Sequence, residues 1–405
     1  MAAVPGVNAS LFTIDKQEAR RKRRYVGKAI SKRSMRLFEP TMTRQIDVFL
    51  RIILASAQSP IDMSTTVKHL TMDIVSLLAF GYPLNTQIDE ENRFLVQAHA
   101  AECLRCNVFV QWPLLHTLKV NSILKVLARA DVRRFWAILE KMIASRMAED
   151  KHIRHDFYSC VVDELSPNGE YLQDSEIWTE ADFFFPAGSD TIAACLSAAF
   201  FYLSRNPVAY TKLTQEIRSA FQKGDEIKNG TTLSNCQYLR ACIDETLRIS
   251  PAVPGTPWRE SNEPFIVDGH VIPPGVQVGV NIYTLHHNEE YFPEPVAFKP
   301  ERWIEGPTTK LHDAFLAFSA GERTCLGRDM AYLETSIVLA KTLWYFDFEV
   351  APGTQGKLGE GGPGLGSGRE RRSEFQLYDI ITSDTKGPNL VFRPRGMLWK
   401  ELSAE

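Results

Sequence analysis

Between residue 15 and about residue 250, apolar positions recur every three or four residues and strand-like alternation is rare, which predicts a succession of helices. "MDIVSLLAFG", "VRRFWAILEKMIASRM" and "PVAYTKLTQEIRSAF" carry the pattern most clearly. From Pro251 the texture changes. "PFIVDGHVIPPGVQVGVNIY" alternates apolar and polar residues around Asp268-Gly269, which predicts a hairpin and a small sheet. Residues 293–303 read as a proline-rich meander, and a further helix is expected from Gly327 to about Trp344. Residues 352–374 hold eight glycines and no aromatic residue, the composition of a flexible surface insertion. Strand-like alternation returns in "FQLYDIITSDTKGPNLVFRPR". The reading is mainly α with a small β-sheet, one domain over residues 1–405, with no linker and no internal repeat.

One stretch, Ala181 to Leu203, has the length and apolarity of a membrane span. Asp182, Asp190 and an Ala-Gly-Ser-Asp-Thr run interrupt it, so a long helix buried in protein is the better expectation. The first residues carry no apolar core of the kind a signal peptide or anchor needs, and the chain by itself reads as soluble and intracellular. A net charge of −3 gives no basic excess suited to nucleic acid. Seven cysteines at irregular spacing point to reduced thiols rather than a disulfide framework. Cys103 and Cys106 form a C-x-x-C, but no second pair or matching histidine follows at zinc-finger spacing, so both read as packing thiols. His286 and His287 read as neighbours on a strand facing opposite ways, suited to packing rather than metal binding.

The informative thiol is Cys325, in "FSAGERTCLG". Phe318, Gly321, Arg323, Cys325 and Gly327 make F-x-x-G-x-R-x-C-x-G, a pattern expected by chance in roughly one chain in ten thousand of this composition. A thiolate at a helix N-terminus, among the amides of a tight turn, is suited to ligate haem iron. Gly321 and Gly327 let the backbone bend and approach a macrocycle. Arg323 is placed to pair with a propionate, and Phe318 to shield the sulfur.

This loop resembles the haem-binding loop of the cytochrome P-450 family, and the resemblance runs from about Ser10 to Arg395. The wording of "SPAVPGTPWRE" and "FKPERW" is similar to fungal, microsomal-type members. It implies a cytochrome P-450 fold that starts at the basic helix, lacking the anchor and first strands. It implies haem b held by Cys325 and a monooxygenase that inserts one atom of dioxygen into an apolar organic substrate, with a fungal secondary metabolite as the expected class. In "AGSDT" it gives Gly188 the role of leaving room for dioxygen, with Asp190 and Thr191 managing protons; Ile192 stands where many relatives have a second threonine. Glu245 and Arg248 of "ETLR", with Arg302 of "PERW", match the family's structural charge cluster. Arg23 and Arg259 become further propionate partners, although Ala19 replaces the aromatic or histidine partner often found beside the former. Electrons from NADPH would arrive through a partner reductase, or cytochrome b5, docking on Arg20, Arg21, Lys22, Arg24 and Lys28. By resemblance the location is the cytoplasmic face of the endoplasmic reticulum. Two other readings stay open: a non-catalytic remnant that cannot retain haem, and a haem-thiolate isomerase or dehydratase that does not use dioxygen.

Overall fold

The computed structural model describes residues 7–112, 114–118, 120, 130–150, 153–154, 156–162, 174–305 and 309–403. A basic helix, Lys16–Ala29, begins at Asp15, whose carboxylate accepts the Glu18 N–H at 2.7 Å. Its Ala19, Tyr25, Val26 and Ala29 face the core. Met63–Phe80 starts at Asp62, which caps Ser64, and stops at Gly81, where φ of +60° suits glycine. Helices Phe94–Gln111, Ala130–Ala148, Pro207–Ala220, Gln237–Ile249 and Arg328–Tyr345 follow the predicted periodicity closely.

The organising element is the central helix, Asp174–Arg205. It is long and apolar enough to cross a membrane, but from Ile192 to Leu203 every residue is buried in protein. It runs along Met63–Phe80, the most extensive helix pairing described. Upstream of Ile192 its burial changes: Phe183, Ala187 and Thr191, four residues apart, are only partly covered. That spacing lines one helical face.

The β structure is small. Phe346–Val350 and Ile61–Asp62 flank Asn389–Pro394 in an antiparallel sheet, with Phe348 opposite Phe392. Phe265–Val267 and His270–Ile272 form the predicted hairpin, with Asp268 and Gly269 both at positive φ (+47° and +77°).

Two expectations change. His286 and His287 lie at the end of a short helix, Ile282–His286, not on a strand. The glycine-rich segment is pinned rather than loose. Arg205 donates to the Gly356 carbonyl and to Glu360 Oε1, and Gly361 N–H reaches the Glu374 carbonyl at 3.2 Å. A Cβ on Gly356 or Gly361 would lie 2.1 Å from a backbone oxygen, so glycine here allows close chain approach, not flexibility.

Candidate functional site

Cys325 sits in a turn closed by its own neighbours. Its N–H donates to the Phe318 carbonyl at 2.8 Å, and the Thr324 hydroxyl reaches the same oxygen at 3.2 Å. Gly321 adopts φ of +67° to make the bend. Gly327 has an ordinary φ of −81°. A Cβ there would lie 3.8 Å from Cys325 Sγ, so glycine leaves space beside the sulfur rather than turning the chain. The Phe318 ring packs on Tyr332 of the following helix, centroids 5.1 Å apart.

Cys325 is an exposed residue. The protein around it still pushes the thiol above its ordinary range, against the pull of the Gly327 amide and the Arg23 cation. Such a thiol becomes a thiolate most readily when a metal takes the proton's place.

Two cations stand at the loop. Arg23 donates to the Thr324 carbonyl. Arg323 donates to the Ser10 and Thr13 carbonyls at 3.2 and 2.9 Å, not to a carboxylate. Burial and the charge of Arg323 both lower the Arg23 guanidinium's affinity for its proton. Paired guanidiniums bonded to neutral carbonyls are suited to receive an anionic group. An exposed cysteine with a raised thiol and the paired cations beside it together fit haem with its propionates. Arg259 stands apart: it is exposed, and its Nη1 donates to the Trp258 carbonyl at 2.9 Å. Among the described residues it makes no hydrogen bond to the cysteine loop.

Segment 8–13 joins this loop to the central helix. Ser10, whose carbonyl meets Arg323, also donates to Glu180, and Phe12 stacks edge-on with Phe183 at 5.4 Å. Segment 8–13 therefore links the cysteine loop to Glu180 and to Phe183, the first residue of that partly covered face.

"AGSDT" is arranged differently from expectation. A Cβ on Gly188 would come within 2.8 Å of Val75 Cγ2, so this glycine lets two helices approach closely and gives no sign of a space for dioxygen. Thr191 donates back to the Ala187 carbonyl at 2.8 Å; its hydrogen is spent within the helix and its lone pairs remain. Asp190 Oδ2 receives His99 Nε2 at 3.0 Å and the Thr382 hydroxyl at 3.2 Å. Burial would raise the Asp190 carboxyl, but the charge and hydrogen bond of His99 outweigh it and hold it low. Burial would lower His99; the Asp190 carboxylate, and then Cys103, overcome that and hold it well above the usual range. The pair is an ion pair near neutral pH.

Glu245, Arg248 and Arg302 do meet. Glu245 receives Arg248 Nε and Nη2 at 2.9 Å each, Arg302 Nε at 3.1 Å, the Lys299 amide at 2.9 Å and Trp303 Nε1 at 2.9 Å. Arg248 also donates to the carbonyls of His286, Pro295 and Ala297. His286 extends the cluster. Its Nδ1 pairs with the Arg248 carbonyl at 3.1 Å and its Nε2 accepts the Leu316 N–H at 2.9 Å. Burial and the Arg248 charge lower it to about 3, so the ring is neutral with its proton on Nδ1. Trp303, His99 and Thr382 were not singled out in the sequence, and His286 was read there only as a packing residue. Trp303 adjoins Arg302 in "PERW", a signal within reach; the others meet their partners only across the fold.

The model for the family described as Cytochrome P-450 matches residues 3–372. The chain belongs to the cytochrome P-450 family. It is 32% identical to the cytochrome P-450 monooxygenase apf7 of Gibberella fujikuroi, across 98% of this chain and 79% of that protein. It is 34% identical to the cytochrome P-450 monooxygenase poxM of Penicillium oxalicum, across 94% and 73%. Among solved structures, the cytochrome P-450DA haem domain superposes with a TM-score of 0.72 over 93% of this chain and 77% of that one, at 19% identity, which speaks for the fold. The mainly helical P-450 architecture with small sheets is thus as expected. Of the expected docking cations, Arg21 and Lys22 of this P-450 turn inward, toward Glu18 and Glu176 and toward Glu176 respectively, and Arg20 pairs with Glu322 of the cysteine loop.

Proposed function

We propose that this P-450 is a haem-thiolate monooxygenase acting on an apolar organic substrate, of the class made in fungal secondary metabolism. The carrying observation is the Cys325 turn: an exposed cysteine beside two paired guanidiniums, at the mouth of a helix and linked through segment 8–13 to the central helix. Cys325 would ligate the haem iron, with Arg23 and Arg323 holding its propionates by giving up backbone carbonyls for carboxylates. Arg259 would join them only by moving its side chain. When bound, the haem supplies the redox chemistry that splits dioxygen, with the thiolate as an electron-rich ligand.

The chain's own residues supply shape and protons. Phe183 and Ala187 present an apolar wall to substrate, and Phe318 excludes water from one side of the sulfur. His99 Nε2–H stores a proton against Asp190 Oδ2, and Thr191 next along the helix accepts a hydrogen bond on its free lone pairs. Electrons would come from NADPH through a flavoprotein reductase, with cytochrome b5 as a second donor. Arg24 and Lys28, both exposed on the basic helix, would meet an acidic partner. The endoplasmic reticulum's cytoplasmic face, where such a reductase is found, is the proposed location.

The test is the carbon monoxide difference spectrum of the reduced, haem-loaded protein, with Cys325→Ala beside it. A strongly red-shifted Soret band that vanishes in the variant supports thiolate ligation. Failure to take up haem, or a band of the histidine-ligated kind, overturns it and favours a non-catalytic form.

A further inference from the structure

The C-x-x-C that reads as two packing thiols in the sequence contains one that is part of a different constellation. We propose that His99, Cys103 and Asp190 form a binding site for a zinc-class divalent cation between helix Phe94–Gln111 and the central helix. His99 and Cys103 are four residues apart and share a helical face. Asp190 faces them from the central helix. The ligand atoms of all three lie within 4.8 Å of one another.

The spacing is what tetrahedral zinc requires. Bonds of about 2.05 Å to nitrogen, 2.3 Å to sulfur and 2.0 Å to oxygen give tetrahedral edges of about 3.6 Å (N···S), 3.5 Å (S···O) and 3.3 Å (N···O). In the structure Nε2 to Sγ is 3.6 Å, Sγ to Oδ2 is 3.6 Å and Nε2 to Oδ2 is 3.0 Å. Each edge agrees within a few tenths of an ångström, so the three donor atoms are spaced as one face of such a tetrahedron.

The surroundings hold that face. The imidazole is fixed between Phe135 and Phe185, at 5.6 Å from each, and Thr382 donates to Asp190 as an outer partner. A small cleft lined by Met72, Val96 and Ala100 adjoins His99 and Asp190, and a water entering from it would supply the fourth ligand. Lys68 also lines the cleft, but its ammonium is engaged by Asp384. Thiolate with imidazole and one carboxylate selects zinc over magnesium or calcium, which need oxygen sets. On binding, the Cys103 thiol proton and the His99 imidazolium proton pass to water. The cation would occupy Asp190, the acid of the proposed reaction.

The test is zinc titration of the haem-loaded protein by calorimetry, with zinc K-edge absorption on the same sample, since that edge is separate from iron. Cys103→Ser, Cys103→Ala and His99→Gln are compared with Cys106→Ser, which alters the exposed thiol outside the triad. Support is one zinc per chain with one sulfur at about 2.3 Å, weakened about 100-fold or more by the first three changes and kept in Cys106→Ser. The proposal is overturned by a sulfur-free shell, by affinity unchanged in both Cys103 variants and His99→Gln, by loss of the site in Cys106→Ser, or by an adventitious ion only. The Cys103→Ala variant separates ligand loss from misfolding: its zinc-free unfolding temperature must match the parent for its weakened binding to count as support, and retained binding in it overturns the site.

Discussion

Replacing Glu245 by Gln tests whether the buried charge cluster holds the fold as the geometry says. Glu245 and Arg248 are fully buried, and five N–H groups converge on the two carboxylate oxygens. Oε1 takes Arg248 Nη2, Arg302 and the Lys299 amide; Oε2 takes Arg248 Nε and Trp303. A carboxamide keeps one acceptor oxygen. Whichever way it turns, at least two donors meet an NH2 group, and two guanidiniums lose their counter-charge. Hydrogen bonds to charged groups are worth about 1.5–3 kcal/mol each, so two lost bonds cost about 3–6 kcal/mol. Breaking a buried pair by removing one partner gives about 3–5 kcal/mol independently. With about 2.1 cal/mol/K of unfolding entropy per residue, a chain of 405 residues has about 0.9 kcal/mol/K, so Tm should fall by about 4–6 °C. The assay is thermal unfolding by circular dichroism at neutral pH and equal scan rate, with Trp303→Phe and the double variant completing a cycle. A fall under about 1 °C, or effects of Glu245→Gln and Trp303→Phe that simply add, would refute the reasoning.

Other outcomes follow from single sites. Glu334 is buried with both carboxyl oxygens unpartnered among the described residues, and burial raises its pKa from 4.5 to about 8. The unfolded chain therefore releases this proton where the folded one keeps it, and stability falls by about 1.4 kcal/mol per pH unit between those values, on the order of 5 kcal/mol in all. Glu334→Gln should remove that slope in urea unfolding measured across pH; parallel curves would argue against it. Gly188→Ala should cost about 1–3 kcal/mol through the Val75 contact and be relieved by adding Val75→Ala; an impaired double variant would point instead to a role in the site. Thr191→Val should leave unfolding within about 1 kcal/mol of the parent, because among the described residues the hydroxyl bonds only its own helix. Substrate turnover with a reductase should drop on the order of 100-fold, and unchanged turnover would remove Thr191 from the proposed proton path. Gly361→Ala, whose Cβ would meet backbone oxygen at 2.1 Å, should open residues 352–374 to limited proteolysis; resistance equal to the parent would show that the segment is not held by that contact.

Much of this protein was legible in order of residues because the forces concerned are local. Helix periodicity, the Asp268-Gly269 turn and the bend at Gly321 each depend on a few neighbouring positions. The Cys325 motif was legible for the same reason: its turn, its glycines and its helix start lie within ten residues. Glu245 and Arg248 share a helical turn, a weak signal by itself that gained weight from "PERW" and the family resemblance.

What the tertiary structure decided was direction and partnership. Spacing could not say that Gly188 faces Val75, that Arg323 reaches across to Ser10 and Thr13, or that the glycine-rich segment is held by Arg205. Nor could it bring His99 and Cys103 to Asp190, 87 or more residues away along the chain. Residues on different helices meet only when burial of apolar faces fixes how those helices cross, and that choice is made by the whole core. The sequence by itself determined which chemistry the chain carries; only the packed helices decided which groups that chemistry touches.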